Sequence, residues 1–254
     1  MLGEIFNLIY YPLFNLMVFF YNIVPGNDIG IAIILLTLFV RFVLYPMNTK
    51  SIKSQKKLQE IQPLMKKIQT KYKDNKEEQA KRLMALYQKH KINPLSGCLP
   101  ILIQLPILIA LYRVFINGFK DESLAIVYPF ITNPGHLDPM FIGLVNLSET
   151  NLPLALMAGI LQFFQTKMMM GDKVKDKKVE EDKEKSAEDK TQDFAQSMMK
   201  QMMYILPIMT FFFAMSFPSG LALYWVVTTL FAIIQQMIIM KKQDKESAEV
   251  TVIN

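Results

Sequence analysis

The chain has 254 residues, 52% of them hydrophobic and 20% charged, with 28 Lys+Arg against 22 Asp+Glu. Those totals resemble a soluble domain, but nearly all the charge falls in residues 50–91, 171–200 and a short tail, leaving apolar runs that a water-soluble domain of this size could not cover. One cysteine, Cys98, excludes an internal disulfide framework and a multi-cysteine zinc site, and two separated histidines, His90 and His136, leave little for metal or acid–base chemistry.

The first apolar stretch, Ile5–Val24, carries Asn7, Pro12, Asn15 and Asn22 among Tyr10, Tyr11 and Tyr21. That mix suits a helix lying in the membrane interface better than one crossing it, with a sixth span as the alternative. With no Lys or Arg before it, Glu4 within it and no small-residue cleavage site, it does not read as a secretory signal.

Five further segments approach the roughly 20 apolar residues needed to cross about 30 Å of hydrocarbon: Ile29–Met47, Leu95–Asn117, Leu152–Met170, Gln201–Phe217 and Gly220–Met240. The expected fold is an all-α membrane protein. It divides into an interfacial helix (1–27), span 1 (28–48), a cytoplasmic helical hairpin (49–94), span 2 (95–117), an extracytoplasmic loop (118–151), span 3 (152–170), a charged disordered cytoplasmic loop (171–200), span 4 (201–217), span 5 (218–240) and a tail (241–254). Residues 50–92 hold 13 Lys/Arg against 4 Asp/Glu, 171–200 hold 8 Lys/Arg and the tail holds 3, together 24 of the 28 basic residues. Five spans put all three segments on one side, which the positive-inside rule makes cytoplasmic, together with the C-terminus.

In the first basic segment Leu58, Ile61, Met65, Ile68 and Tyr72 share one helix face, Asp74-Asn75 signals a turn, and Ala80, Leu83, Met84 and Tyr87 repeat the pattern before Asn93-Pro94. Two antiparallel amphipathic helices would bury these faces together. Their basic outside serves topology and solvation, or else a surface for acidic lipid or RNA. Gly171–Lys190 is almost wholly Lys, Glu and Asp and is expected to be disordered.

Arg41 is the one ionisable residue well inside a span; Arg113 and Lys167 lie near span ends. An arginine at a span centre costs roughly 2.5–3.5 kcal/mol on insertion scales, so it normally faces protein or water. Thr37 lies one turn before it. Gln162, Gln165 and Thr166 in span 3, Gln235 and Gln236 in span 5, and Gln104 in span 2 fall near the same level, with Trp225, Thr228, Thr229 and Ala232 continuing the stripe. The pattern describes a hydrophilic cavity open to the inside and closed above by apolar outer halves. The plainer alternatives are a snorkelling arginine and helix-to-helix hydrogen bonds. No Asp, Glu or His lies among these groups, which argues against a proton relay or a cation site.

The run Leu36–Pro46 (LTLFVRFVLYP) resembles the arginine-bearing first core span of the YidC/Oxa/Alb membrane-protein insertases. Met84-Ala85-Leu86-Tyr87, Asn93–Pro100 (NPLSGCLP) and Gln104-Leu105-Pro106 resemble that family's next block, and Phe217–Trp225 (FPSGLALYW) its last-span signature. With Gln235-Gln236 these blocks extend in family order over roughly residues 28–240, marking a short bacterial-type member. The resemblance implies five core spans, an extracellular amphipathic helix and a cytoplasmic hairpin. It implies an insertase and chaperone for nascent membrane proteins in the cell membrane, working alone or beside the Sec translocase, with no cofactor and no enzymatic step. The family's groove arginine and threonine match Arg41 and Thr37, its polar third-span position Gln165 or Thr166, and its aromatic last-span position Trp225; Gln104, Gln162, Tyr224, Thr228 and Gln235 complete the expected groove. Partners are membrane lipids and the ribosome through the hairpin. The 14-residue tail, with three Lys against Asp244, Glu246 and Glu249, departs from the long basic tails of some members.

A water-filled groove would lower the cost of moving a substrate's polar tail through hydrocarbon, Arg41 would attract acidic residues in that tail, and the apolar segment would then partition into lipid. The alternative is a small-solute transporter or channel using the same cavity; against it, no inverted repeat or matched pair of broken, Gly-rich helices is found.

Overall fold

The computed structural model describes residues 2–93, 99–118, 120–170 and 204–253. The expectations for Cys98 and for a disordered 171–200 loop lie outside those residues. The chain is mostly helical: α1 (Leu2–Ile23), α2 (Ile29–Val43), α3 (Tyr45–Lys71), α4 (Lys76–Lys89), α5 (Leu99–Asn117), α6 (Leu152–Met170), α7 (Tyr204–Ser216) and α8 (Ser219–Ile253). The stretch between α5 and α6 holds a 3-10 turn, Asp121–Ile126, and a small antiparallel hairpin pairing Met140–Phe141 (β1) with Val145–Asn146 (β2).

Helix α8 is the axle of the bundle, packing against α6, α2, α3 and α5, while α1 lies against α5 and α2. Its segment Ser219–Lys241 is 23 residues long and apolar enough to cross a membrane unaided; Leu102–Asn117 and Tyr204–Ser216 are apolar but shorter. Leu102, Ile160, Phe164, Ile208, Phe212, Ile234 and Ile238 all point outward. An apolar exterior around a helical bundle is what hydrocarbon, not water, accommodates.

The expected first span, Ile29–Met47, is not one straight helix. Helix α2 is capped by Asp28, whose Oδ1 accepts from Ile31 N at 2.9 Å, and ends at Val43. The chain turns by 64° into α3. Pro46 sits in the first turn of α3, where its missing N–H leaves the backbone unable to carry the α2 ladder through. The end of the expected span and the start of the basic segment are therefore one continuous helix.

Helices α3 and α4 fold back on each other: Gln79 Nε2 donates to Gln69 O at 2.8 Å and the Tyr87 hydroxyl reaches Met65 Sδ at 3.8 Å. Asn75 caps α4 by accepting from Glu78 N at 3.0 Å. The seam is narrower than the periodicity suggests: Ile61 is buried and Leu83, Leu86 and Tyr87 are half-buried, but Ala80 and Met84 are exposed. Two helices in contact cover only the residues on their common line, and among the described residues the other edge of α4 stays exposed. Most of the 241–254 tail continues α8, which runs on as helix to Ile253.

The packed core gathers at one end of the bundle. Ile29, Ile33 and Leu36 open α2, Leu111, Val114 and Phe115 close α5, Leu154 and Ala155 open α6, Ala214 closes α7, and Leu221, Ala222 and Tyr224 open α8. Phe14, Met17 and Val18 of α1 and Leu137 and Leu147 of the connecting segment complete it. The ends of α2, α5, α6 and α8 adjoin residues 118–151, so the tight packing forms a cap beneath that segment.

Two glycines make the cap possible. Gly30 lies directly against the ring of Phe141, and a Cβ on Gly220 would meet Phe115 Cδ1 at 3.0 Å.

Candidate functional site

Below the cap the helices present polar groups to one another. Arg41, near the end of α2, donates from Nε to Thr228 Oγ1 of α8 at 3.1 Å. Tyr224, one turn before Thr228 and buried, bonds Thr228 and accepts from Gln104 Nε2 of α5. Arg41, Thr228, Tyr224 and Gln104 thus form one chain of contacts across three helices. Among the described residues the guanidinium's remaining N–H donors bond no other group, and Arg41 is only half-buried.

Of the other expected site residues, Thr37 and Gln235 make their hydrogen bonds outside this chain of contacts. Thr37 is 1% exposed, and its hydroxyl donates to Ile33 O of its own helix at 2.6 Å. A β-branched hydroxyl within a helix satisfies itself this way when packed against apolar neighbours. Gln162 and Thr166 of α6 bond each other, Thr166 Oγ1 donating to Gln162 O at 2.8 Å, and Gln165 and Trp225 are half-buried.

Gln235 faces the bend. Its Nε2 donates to Tyr45 O at 3.1 Å and to Thr49 Oγ1 at 3.0 Å, fastening the first turn of α3 to α8. Tyr45 O also accepts from Thr49 Oγ1 at 2.9 Å, so the Gln235 amide joins a carbonyl and a hydroxyl of the first turn of α3, while the carbonyl that loses its ladder donor to Pro46 is Phe42 O. Further along α3, Lys56 Nζ donates to Met240 O at 3.4 Å and Gln59 Nε2 to Met169 O, tying the helix to α8 and α6.

Two of the three asparagines that make α1 look interfacial, Asn15 and Asn22, are taken by the connecting segment. Asn15, 1% exposed, donates to Tyr11 O at 2.9 Å and Ile126 O at 3.1 Å and accepts from Tyr128 N at 2.6 Å. Asn22 donates to Thr132 O at 2.7 Å, and the Tyr21 hydroxyl accepts from Asp138 N at 3.2 Å. The Pro218-Ser219-Gly220 turn has a like role: Ser219 N donates to Glu149 O at 2.7 Å, Ser219 Oγ to Asn146 O at 3.1 Å and Gly220 N to Leu147 O at 3.0 Å. In the sequence Phe217–Trp225 stands out only as a family signature, and the anchoring task of Ser219 becomes visible with its partners. The only local signal was a small hydroxyl residue at a helix start.

Among the described residues no group of three or more His, Cys, Asp or Glu could hold a metal ion. What the polar chain offers is a fixed positive charge, hydroxyls and amides inside an otherwise apolar bundle: the means to attract and hydrate a passing polar group.

Fold and site together define an all-α membrane protein with one half-buried arginine in a chain of polar side chains. The family model described as 60Kd inner membrane protein matches residues 19–246. The chain is 36% identical over 236 residues to the membrane protein insertase YidC of Pelobacter propionicus, covering 93% of this chain and 39% of that one. It is 36% identical over 216 residues to the YidC insertase of Fusobacterium nucleatum, covering 85% and 88% of the two chains. With the membrane protein insertase MisCA of Bacillus subtilis it shares 35% identity over 243 residues, covering 94% and 80%. The chain belongs to the 60Kd inner membrane protein family, the YidC/Oxa/Alb insertases, a family of the cell membrane whose members are not enzymes. It spans about two fifths of the length of the Pelobacter relative.

Proposed function

We propose that this chain inserts nascent membrane proteins into the cell membrane, and that Arg41 is the residue on which the mechanism turns. The observation that carries the reading is the arginine bound by its Nε to Thr228, with the rest of its guanidinium bonding no described residue. Helices α2, α5, α6, α7 and α8 serve as the five spans, residues 118–151 lie outside, and the α3–α4 hairpin and C-terminus lie in the cytoplasm. The charge distribution supports that orientation, with 24 of 28 basic residues falling in the segments it places inside.

In this mechanism a substrate's polar tail enters from the cytoplasm beside Arg41, Thr228, Tyr224 and Gln104, with Gln162, Gln165, Thr166 and Trp225 on the flanks. The guanidinium attracts acidic groups in surroundings of lower dielectric than water. The cap of packed residues above sets how far polar space reaches, so the tail crosses a shortened hydrocarbon barrier. The substrate's apolar segment then leaves sideways into lipid, which drives the step. The chain works alone or beside the Sec translocase, and the basic hairpin meets the ribosome or anionic lipid.

The test is site-specific photocrosslinking in the full-length protein during synthesis of a single-span substrate. Probes at Trp225 and Gln165 should trap the nascent chain, whereas a probe at Phe130 should not. Absence of adducts at both groove positions, with the protein present at normal levels, would overturn the reading.

A further inference from the structure

We infer that the β1–β2 hairpin tip is a membrane anchor: Ile142 and Leu144 enter the outer leaflet of the bilayer beside the start of α2. The inference rests on the topology given above, in which residues 118–151 are outside. Three observations carry it.

Residues 139–148 contain no charge, and their tip is Phe141-Ile142-Gly143-Leu144. Phe141 is turned in against Gly30, but Ile142 is 57% and Leu144 78% exposed. A turn that faced water would be built from polar or small residues, and two large aliphatics held out side by side call for an apolar neighbour.

The backbone holds Ile142 there against its own preference. Ile142 has φ +46°, a left-handed conformation that β-branched residues rarely adopt, and Gly143 follows at φ +68°. Leu144 N donates to Phe141 O at 3.0 Å, closing a tight turn in which glycine or asparagine would be the easier choice at position 142. An aliphatic side chain at that position is explained by what it touches rather than by the turn.

The level of the tip is set independently. Asp28 Oδ1 caps α2 while its Oδ2 accepts from Ile142 N at 2.5 Å, so one carboxylate joins the tip to the first residue of the first span. With Gly30 packed on Phe141, the hairpin lies beside the outer end of α2, where hydrocarbon gives way to headgroups. An apolar tip at that depth inserts into lipid as interfacial anchors do. It would steady the outer cap while the inner half of the bundle admits substrate.

The experiment uses the full chain with Cys98→Ser, reconstituted in phosphatidylcholine–phosphatidylglycerol vesicles, with a fluorescent label on a single new cysteine. Leu144→Cys should be quenched by a nitroxide near the lipid headgroup at least about twofold more than Glu122→Cys, and should be correspondingly shielded from aqueous iodide. Phe212→Cys on α7 serves as the lipid-facing reference. Equal iodide quenching at Leu144 and Glu122 would place the tip in water and overturn the inference. Protection from both quenchers would overturn it in favour of a second copy or another protein. Topology is read separately, from labelling of Glu122→Cys by a membrane-impermeant maleimide on intact cells. Labelling only after permeabilisation would overturn the orientation and, with it, assignment to the outer leaflet, whatever depth the quenchers report.

Discussion

Arg41 Nε donates to Thr228 Oγ1 across 3.1 Å, joining residues 187 positions apart in the sequence. A charged side chain on one helix is thereby held by a neutral hydroxyl on another, and its charge is left without a counter-ion at the bond itself. In the proposed mechanism that arrangement separates two jobs of the arginine, because the hydrogen bond would orient the group and leave its charge for a substrate.

Replacing the charge should therefore matter more than replacing the bond. Arg41→Lys should retain most insertion of a substrate with an acidic outer tail, and Arg41→Ala should lose roughly tenfold or more, with neutral-tailed substrates less affected. The measurement is insertion of paired substrates differing only in tail charge, normalised to protein level. Equal activity of wild type and Arg41→Ala on the acidic tail would sink the charge mechanism.

Thr228→Val keeps the arginine and removes its acceptor. It should cost about 1 kcal/mol of stability, read as a lower melting temperature in detergent, while acidic-tail insertion falls only a few-fold. Loss of insertion as complete as in Arg41→Ala would mean that orientation, not charge, dominates.

Asn15 satisfies three backbone groups from a buried position. Asn15→Leu strands Ile126 O and Tyr128 N and should destabilise the protein by about 2–6 kcal/mol, at the usual cost of about one to three per buried unpaired group. Asn22→Ala, on an exposed bond, should cost well under half of that. Comparable melting temperatures for the two variants would show that the connecting segment does not depend on Asn15.

Gln235 pins α3 at the bend through two donated bonds. Gln235→Leu should leave α8 intact but loosen α3, broadening the spin-label distance distribution between positions 57 and 241. An unchanged distribution would assign the 64° bend to Pro46 and the Lys56 and Gln59 contacts alone.

The basic face of α3 is not uniform, since Lys56 reaches Met240 O whereas Lys57, Lys66 and Lys67 are exposed. Reversing Lys57, Lys66 and Lys67 to Glu should weaken binding to anionic vesicles, and the wild-type interaction should itself decline with added salt. Lys56→Glu should instead shift the position of α3. Undiminished vesicle binding by the triple variant would reduce those charges to topology signals.

What the sequence by itself determined was local: apolar runs that must be helical in hydrocarbon, the charge asymmetry of the segments between them, the proline at position 46, and the ordered motifs that mark the family. These are legible because hydropathy, backbone hydrogen bonding and proline's missing N–H act over a few neighbouring residues. Tertiary structure alone decided which polar group meets which. Thr37 and Gln235 share the polar stripe with Arg41 in the sequence, yet Thr37 turns to its own backbone and Gln235 to the bend, and Asn15 and Asn22 of α1 answer carbonyls more than a hundred positions away. A helix pattern states which residues share a face but not which neighbour that face meets. That neighbour is chosen by close packing of the whole bundle, where Gly30 and Gly220 admit Phe141 and Phe115 and so set the register of everything beneath them.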